Sequence, residues 1–285
     1  MTSTSAITVI ERAAEMKAHS NALRKAGKSI ALVPTMGALH EGHLSLMREG
    51  RKRADILVVS IFVNPTQFGP GEDYDKYARD REGDLQKMKG IGVDAVFMPG
   101  PEEIYPPGFQ TYVSVEELEK PLCGASRPGH FRGVATVVLK LFNIVKADIA
   151  LFGQKDYQQL KVIQRMARDL DLDIEVIGLP IVREETGLAM SSRNAYLSDE
   201  DRQRALSLSR ALLEIKSQFA NGAYETENLV QSAMKVLEQA SVEDIDYLEI
   251  RDGETLEYKK EAARGDVIAV ACRVGGARLI DNIIL

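Results

Sequence analysis

Short apolar segments alternate with more polar segments along the first part of the chain. The segment Ser29 to Pro34 (SIALVP) is almost wholly apolar, which is typical of a strand buried on both faces. A polar helix is predicted around Leu44 to Arg53, and Ile56 to Val63 (ILVVSIFV) reads as a second buried strand. Strand, helix and strand within about 35 residues form a βαβ unit, which predicts a parallel sheet with a right-handed crossover.

The same alternation continues as far as Pro180. Helices are predicted near 79–88 and 134–145, and strands near 95–98, 149–153 and 174–178. A further helix carries an apolar stripe that recurs at three and four residues and is made of Leu160, Ile163, Ala167 and Leu170. At the amino-terminal end, Thr8 and Glu11 have capping-box spacing, which predicts a helix to about Lys25 that stops at Gly27.

The pattern changes after Pro180. Ser198 is followed by three acidic residues, a strong signal for the start of a helix. Helices are predicted at 199–219 and 225–240, followed by strands at 245–250, 267–273 and 278–284. The sequence therefore predicts an α/β protein with a doubly wound, Rossmann-like parallel sheet in residues 1–180. Residues 181–285 form a second, smaller α+β domain that is expected to close over the site.

The charge of the chain disfavours one class of partner. Of its 285 residues, 36 are basic and 42 are acidic, which gives a formal net charge of −6. A nucleic-acid backbone requires a clustered basic surface, so we expect no nucleic-acid partner.

The cysteines and the apolar runs bear on the compartment. Cys123 and Cys272 lie far apart, which does not fit a thiolate metal cluster or a disulfide framework. The first residues lack a basic segment followed by an apolar core, and no apolar run approaches the ~20 residues that span a bilayer. We therefore expect a cytoplasmic protein with no membrane partner.

The densest candidate site is Pro34 to His43 (PTMGALHEGH), which joins the first buried strand to a helix. Open α/β sheets bind ligands at this end of their strands. Gly37 and Gly42 let a phosphate approach the backbone, and His40 and His43 can donate to phosphate oxygens, which favours a triphosphate site. Metalloprotease histidines are four residues apart, so the spacing of three here does not fit that motif. The remaining alternative is that both histidines only cap a helix.

Two later segments also offer donors to phosphate. In Phe152 to Gln159 (FGQKDYQQ), Lys155 can neutralise a phosphate and Asp156 can accept from ribose hydroxyls. Met190 to Asn194 (MSSRN) presents two hydroxyls and a guanidinium, which suit a β- or γ-phosphate. The alternatives are ordinary helix capping for the first segment and a solvated interdomain turn for the second.

Neutral amides follow the second buried strand. In Phe62 to Gly69 (FVNPTQFG), Asn64 and Gln67 are suited to the hydroxyl and carboxylate of a polar substrate. The turn at 69–71 (GPG) would let the acidic loop after it close as a lid. A plain turn with exposed amides is the alternative.

In order and spacing, these segments resemble the pantothenate synthetase family of the HxGH nucleotidyltransferase superfamily. The resemblance includes Arg127 to Lys140 (RPGHFRGVATVVLK), extends through most of residues 29–200, and recurs near the end in ARLIDN. The HxGH motif alone indicates only the superfamily, whereas FVNPTQF and KDYQQL are specific to the family.

The resemblance implies an enzyme, an AMP-forming ligase of coenzyme A biosynthesis. Such an enzyme condenses (R)-pantoate with β-alanine and cleaves ATP to AMP and pyrophosphate through an enzyme-bound pantoyl adenylate. It also implies Mg²⁺ as a cofactor and a homodimer as the assembly.

The resemblance further implies roles for matched residues. The ATP-binding set is Met36, Gly37, Ala38, Leu39, His40, Glu41, Gly42, His43, Gly153, Gln154, Lys155, Asp156, Val182, Met190, Ser191, Ser192 and Arg193. The catalytic set, expected chiefly to stabilise charge on the phosphates, is His43, His40, Lys155 and Arg193. The set that binds pantoate or β-alanine is Gln67, Gln159, Asn64 and Met36. Asp84 matches a position associated with magnesium, and its neighbour Gly83 stands where some relatives carry a second acid.

Two other functions stay open. A nucleotidyltransferase that releases a stable nucleotidyl product would need extra basic residues for a phosphorylated acceptor, where this sequence has Gln67 and Gln159. A non-catalytic nucleotide-binding regulator would have little reason to keep both histidines together with Lys155, Asp156 and Arg193.

Overall fold

The computed structural model describes residues 7–285, which group into two compact units. The first unit consists of the chain up to Val115, Arg127–Gln154 and Val162–Pro180. The second unit consists of Glu116–Ser126, Lys155–Lys161 and Ile181–Leu285. The division includes a boundary after Pro180, but two short segments from within residues 1–180 group with the second unit.

A six-stranded parallel sheet forms the centre of the first unit. Its strands are β1 Thr8–Ile10, β2 Ile30–Thr35, β3 Ile56–Ile61, β4 Ala95–Phe97, β5 Ile149–Gly153 and β6 Glu175–Leu179. Their spatial order is β1-β4-β3-β2-β5-β6. After β2, the chain forms β3 and β4 on one side of it and then β5 and β6 on the other side. The sheet therefore has a switch point between β2 and β5, where open α/β sheets bind ligands.

Helices follow most of these strands. They are α1 Ala13–Lys25, α2 Glu41–Arg53, α3 Arg81–Met88, α4 Pro101–Ile104, α5 Cys123–Ser126, α6 His130–Val145 and α7 Tyr157–Asp169. Of these, α5 and the first residues of α7 group with the second unit. Leu46 and Met47 of α2 pack in one core cluster with Val33, Leu57 and Leu151 of the sheet. Because the central strands are covered on both faces, they read as continuous apolar runs, and the predicted doubly wound α/β sheet is confirmed.

The predicted capping box at Thr8 and Glu11 is wrong, whereas the predicted end of this helix at about Lys25 is confirmed. Thr8 belongs to β1, where its N–H donates to Asp94 O at 3.0 Å. Helix α1 begins at Ala13, whose N–H donates to the carboxylate of Glu103 at 2.8 Å. The first turn of α1 is thus capped by an acid that is distant in sequence, so the spacing of Thr8 and Glu11 has no structural consequence.

Several other boundaries differ from the predicted ones. Helix α6 begins at His130, directly after Gly129, which adopts a left-handed φ of 81°. The apolar stripe of α7 does not extend to Leu170, which lies beyond the helix and is 48% exposed. Helices α4 and α5 were not predicted, because four residues are too few to show a period.

The second unit is the predicted α+β arrangement. It contains α8 Asp199–Ala220, α9 Thr226–Gln239 and an antiparallel sheet of β7 Ile245–Arg251, β8 Val267–Val274 and β9 Ala277–Ile284, in that order. Ser198 Oγ accepts the Asp201 N–H at 3.1 Å, so the predicted start of α8 is confirmed. Both cysteines, Cys123 and Cys272, are buried and free. Within residues 7–285, no helix is long and apolar enough to cross a membrane.

Candidate active site

The turn after β2 is held in an unusual backbone conformation. Gly37 and Ala38 both have positive φ, 87° and 51°. A Cβ on Gly37 would lie 3.1 Å from both Asp84 Oδ2 and Ile61 Cγ2, so only glycine fits this position without displacing a neighbour. The left-handed conformation costs a non-glycine residue such as Ala38 about 1–2 kcal/mol, so other contacts must stabilise the turn.

Asp84, at the start of α3, supplies those contacts. Its Oδ2 accepts the Ala38 N–H at 2.9 Å and its Oδ1 accepts the Leu39 N–H at 2.8 Å. Lys87, one turn along α3, donates to Leu39 O at 2.9 Å and lies 3.8 Å from Asp84 Oδ1. Burial raises the pKa of Asp84, and the two backbone hydrogen bonds and Lys87 oppose that rise. The carboxylate therefore works as a clamp on the turn.

The donor set at Asp84 does not fit a magnesium site built by the protein. The residue is 1% exposed, and each carboxylate oxygen already accepts a backbone N–H. Magnesium requires octahedral oxygen ligands and retains several waters, which an enclosed carboxylate beside Lys87 does not allow. Across the described residues, no group of three or more His, Cys, Asp and Glu side chains is arranged to hold a metal ion.

The two histidines lie at the start of α2. His40 precedes the first residue of the helix, and its N–H donates to His43 Nδ1 at 3.3 Å. The two rings are 4.1 Å apart between centroids and tilted by 39°. Because Nδ1 of His43 accepts a hydrogen bond, the neutral ring carries its proton on Nε2, which is then a donor. The capping interpretation therefore applies to Nδ1 of His43. The same hydrogen bond leaves the ring proton on Nε2, which makes Nε2 a donor.

Pro34 limits the pairing of β2 at the switch point. Asp148 N–H donates to Ile30 O at 2.8 Å, so the even-numbered residues of β2 have their backbone groups towards β5. Proline has no N–H, so Pro34 offers β5 no donor. The β2–β5 ladder ends at Leu32 and Ala150, whereas the β2–β3 ladder continues to the last residue of both strands. The carboxyl end of β2 is therefore unpaired on its β5 side.

Asn64 is the centre of a buried hydrogen-bond network after β3. It is 1% exposed, and its Nδ2 donates to Gln67 Oε1 at 3.0 Å and to Gly133 O at 3.1 Å. Its Oδ1 accepts from Tyr105 OH at 2.8 Å and from Thr66 Oγ1 at 3.0 Å. Burial raises the pKa of Tyr105 to about 12, so this hydroxyl keeps its proton. Asn64, predicted to contact substrate, is thus engaged within the protein and orients Gln67.

Gln67 acquires a defined orientation from this network. Since its Oε1 accepts from Asn64, its Nε2 points the other way and lies 3.3 Å from Met36 Sδ. A thioether is a weak acceptor, so the amide N–H groups of Gln67 remain suited to a stronger one. Two predicted substrate residues, Gln67 and Met36, are brought together by the structure.

An ion pair restrains the segment predicted to form a lid. Arg127 donates to both carboxylate oxygens of Glu72, at 2.8 Å from Nε and 2.5 Å from NH2. The same guanidinium donates to Gln67 O at 3.1 Å. Burial alone would raise the pKa of Glu72, but the hydrogen bonds and charge of Arg127 hold that pKa below its usual value. Arg127 thus links the loop after the GPG turn to the backbone of Gln67.

The second unit contains the remaining predicted phosphate residues. Lys155 lies in the one-turn helix Gln154–Asp156 that follows β5. Ser191 caps the short helix Ser192–Tyr196 by accepting the Arg193 N–H on its Oγ at 3.3 Å. Lys155 and Ser191 line one cavity of ≈ 10 Å³, so these two segments are neighbours within this unit.

Comparison with known proteins decides the family. A family model described as pantoate-beta-alanine ligase matches residues 8–284. This chain belongs to the pantoate–β-alanine ligase family. Pantothenate synthetases from Geobacter sulfurreducens and Thermotoga petrophila are 54% and 55% identical to it over 277 residues, 97% of this chain and 98% and 99% of theirs. The family predicted from the sequence is confirmed, and the chain is an enzyme that joins pantoate to β-alanine.

Solved structures of pantoate–β-alanine ligases share the fold. The pantothenate synthetase of Thermus thermophilus aligns with a TM-score of 0.92 at 45% identity, covering 97% of this chain and 99% of that one. The pantoate-beta-alanine ligase of Francisella tularensis, complexed with beta-gamma ATP and beta-alanine, aligns with a TM-score of 0.82 at 32% identity, covering 98% of both chains. These likenesses confirm the predicted fold class.

Sequence reasoning did not reveal the contacts of several residues. The resemblance associates Asp84 with magnesium, whereas its carboxylate accepts two backbone N–H groups of the turn after β2. Asp281 and Asn282 of β9 lie in the ARLIDN segment, and the resemblance gives them no role of their own. A usable signal was present there, since two adjacent polar residues that interrupt an apolar strand cannot both follow its alternation.

Proposed function

We propose that this ligase works in two half-reactions that consume ATP. In the first, a carboxylate oxygen of (R)-pantoate attacks the α-phosphorus of ATP, and pyrophosphate leaves with the electrons of the broken P–O bond. In the second, the β-alanine amine attacks the acyl carbon of pantoyl adenylate, the C–O bond to AMP breaks, and the amine loses a proton. The product is pantothenate, and no covalent enzyme intermediate is required.

The observation that carries this proposal is the orientation of two neutral donors in the first unit. His43 presents Nε2–H because its Nδ1 accepts from the His40 backbone, and Gln67 presents its Nε2 because its Oε1 accepts from Asn64. Donors fixed in advance stabilise developing charge without reorganising during the reaction. A histidine N–H suits phosphate oxygens, and a neutral amide suits the hydroxyl and carboxylate of a hydroxy acid.

The other contacts in the proposal follow the family resemblance. Lys155 and Arg193 balance phosphate charge, Ser191 and Ser192 donate hydroxyl hydrogen bonds, and Asp156 accepts from ribose. Gln159 binds pantoate together with Gln67. The exposed side chain of Asp156 and the half-buried side chains of Lys155 and Gln159 agree with such roles.

We further propose that Mg²⁺ arrives with ATP, held by phosphate oxygens and not by Asp84. Magnesium in such sites is commonly bound through substrate phosphates and water. We also propose that the protein is a homodimer and that it acts in the cytoplasm. Residues 1–180 and 181–285 are proposed as the two domains of each subunit.

Product analysis tests the proposal. The protein is incubated with Mg-ATP, (R)-pantoate and β-alanine, each component is omitted in turn, and products are identified by mass spectrometry. We expect pantothenate and AMP only in the complete mixture. Pyrophosphate with a stable nucleotidyl product and no AMP would indicate the transferase alternative, and ATP that stays intact throughout would indicate a non-catalytic binder.

A further inference from the structure

Two adjacent polar residues of β9 are buried and have no role in the reaction described above. Asp281 is 3% exposed and Asn282 is 4% exposed. A buried polar side chain destabilises a protein unless it is hydrogen-bonded, so the partners of such residues indicate what they are for. Here each side chain bonds to a different segment outside the sheet; one segment contains the predicted phosphate ligand Lys155, and the other leads into the predicted ligands at 191–193.

Asn282 holds the backbone of Lys155. Its Nδ2 donates to Lys155 O at 2.8 Å. Lys155 lies within a helix of a single turn, which has few hydrogen bonds of its own to fix it. The amide of Asn282 therefore fixes the point from which the lysine side chain extends.

Asp281 holds the segment that leads to the MSSRN turn. Its two oxygens accept from NH1 and NH2 of Arg183 at 2.7 and 2.9 Å, a bidentate pair. Arg183 also donates to Gly187 O at 3.0 Å. This arginine lies in a hairpin closed by the Met190 N–H, which donates to Val182 O at 3.0 Å. The hairpin runs directly into Ser191, Ser192 and Arg193, so its attachment to β9 sets where they lie.

We infer that Asp281 and Asn282 are positioning residues that hold Lys155 and the turn 191–193 in one phosphate-binding arrangement. The shared cavity supports this, because Lys155, Ser191 and Asp281 all line it. The inference rests on the phosphate roles proposed above for Lys155 and Arg193. A positioning residue acts only through the residue that it holds, and this property makes the inference testable.

The test is a double-mutant cycle measured by pantoate-dependent exchange of labelled pyrophosphate into ATP. Asn282→Asp keeps the shape of the side chain but replaces the donor with an acceptor facing Lys155 O. We expect exchange to slow roughly 10- to 100-fold, since a displacement of about 1 Å can cost about that much. In a Lys155→Ala background, the same change should slow exchange less than about twofold, because Asn282 then has no side chain to position.

A second cycle covers the case in which Asn282→Asp does not fold. Asp281→Asn weakens the bidentate pair with Arg183 and should slow exchange. The fold-decrease in exchange rate that it causes should likewise be smaller in an Arg193→Ala background. Ile283→Ala is the matched control, because Ile283 is on the same strand and packs against the core of the second unit. It should lower the melting temperature without slowing exchange.

The outcomes separate the inference from the proposed function. In each double variant, the fold-decrease in exchange rate could equal the product of the two single-variant decreases. That result in both cycles would overturn the inference while leaving the roles of Lys155 and Arg193 intact. A slowing of exchange in Ile283→Ala equal to that in Asn282→Asp would also overturn it, because general loosening of the unit would then explain both. Full exchange activity in Lys155→Ala would instead overturn the role proposed for Lys155, and the inference with it.

Discussion

Gly133 of helix α6 lies directly against the loop that carries Gln67. A Cβ at this position would lie 2.3 Å from Thr66 O and 2.8 Å from Gln67 N. Real Cβ atoms make ordinary contact at 3.4–4 Å, so the helix or the loop must move by about 1 Å to accommodate alanine. The neighbours are backbone atoms, which cannot rotate away as a side-chain end can.

Gly133→Ala therefore sets two effects against each other. Helix propensity alone predicts a gain of about 1 kcal/mol from glycine to alanine. Overpacking costs about 1–3 kcal/mol, so we expect a net loss of up to about 2 kcal/mol in the free energy of unfolding. Since Gln67 moves with the loop, we also expect pantoate-dependent exchange to fall by up to about 100-fold at a fixed pantoate concentration. ATP binding should change little.

The assay compares denaturant unfolding, exchange as a function of pantoate concentration, and calorimetric ATP binding. Gly100→Ala is the matched control, because it lies in the first unit with no atom within 4 Å of its added Cβ and no left-handed φ. A Gly133→Ala protein that is more stable than wild type and has the wild-type KM for pantoate would refute the steric reasoning.

Three further predictions address the site. His43→Ala and Lys155→Ala should each slow adenylate formation by at least about 100-fold without unfolding the protein, since a lost transition-state donor costs about 2.7–4 kcal/mol. Wild-type single-turnover rates in both variants would contradict these roles. Asp84→Asn should destabilise the protein by about 1–3 kcal/mol by leaving a buried N–H of the turn without an acceptor, while the Mg²⁺ concentration for half-maximal residual activity stays unchanged. A large rise in that concentration would show that Asp84 binds the metal. Arg127 lowers the pKa of Glu72 in the folded protein, so the ionised carboxylate stabilises the fold at pH values above its ordinary pKa of 4.5. This stabilisation is lost as the pH falls through the lower pKa of the folded state. The difference in melting temperature between wild type and Glu72→Gln should therefore shrink below pH 4.5, and a constant difference at all pH values would argue against the ion pair.

The parts of the fold that sequence could predict are those in which burial leaves a local pattern. Strands such as Ile30–Thr35 and Ile56–Ile61 are covered on both faces, so they appear as apolar runs. The start of α8 was predictable for a similarly local reason, because Ser198 caps it with its own side chain.

The parts that could not be predicted depend on partners distant in the chain. Strand β1 has three residues and exists because it pairs with β4, while the first turn of α1 is capped by Glu103. Such contacts leave no periodicity near Thr8, where local spacing instead suggested a helix.

For the candidate site, sequence predicted residue types but not their orientation. The motifs pointed to His43, Gln67 and Asn64, whose roles stay predictions. Their hydrogen bonds within the protein determine which atoms face a ligand, and Asn64 proves to be enclosed. Only three-dimensional contacts distinguish a residue that binds substrate from one that holds another in place, as Asp84 also illustrates.

The most direct test of the proposed chemistry follows the oxygen atoms of pantoate. Pantoate labelled with ¹⁸O in both carboxylate oxygens is converted with ATP and β-alanine, and AMP and pantothenate are analysed by mass spectrometry. If the carboxylate attacks the α-phosphorus, AMP gains one ¹⁸O and the new amide keeps the other. Unlabelled AMP, with ¹⁸O in pyrophosphate or phosphate instead, would contradict an adenylate intermediate.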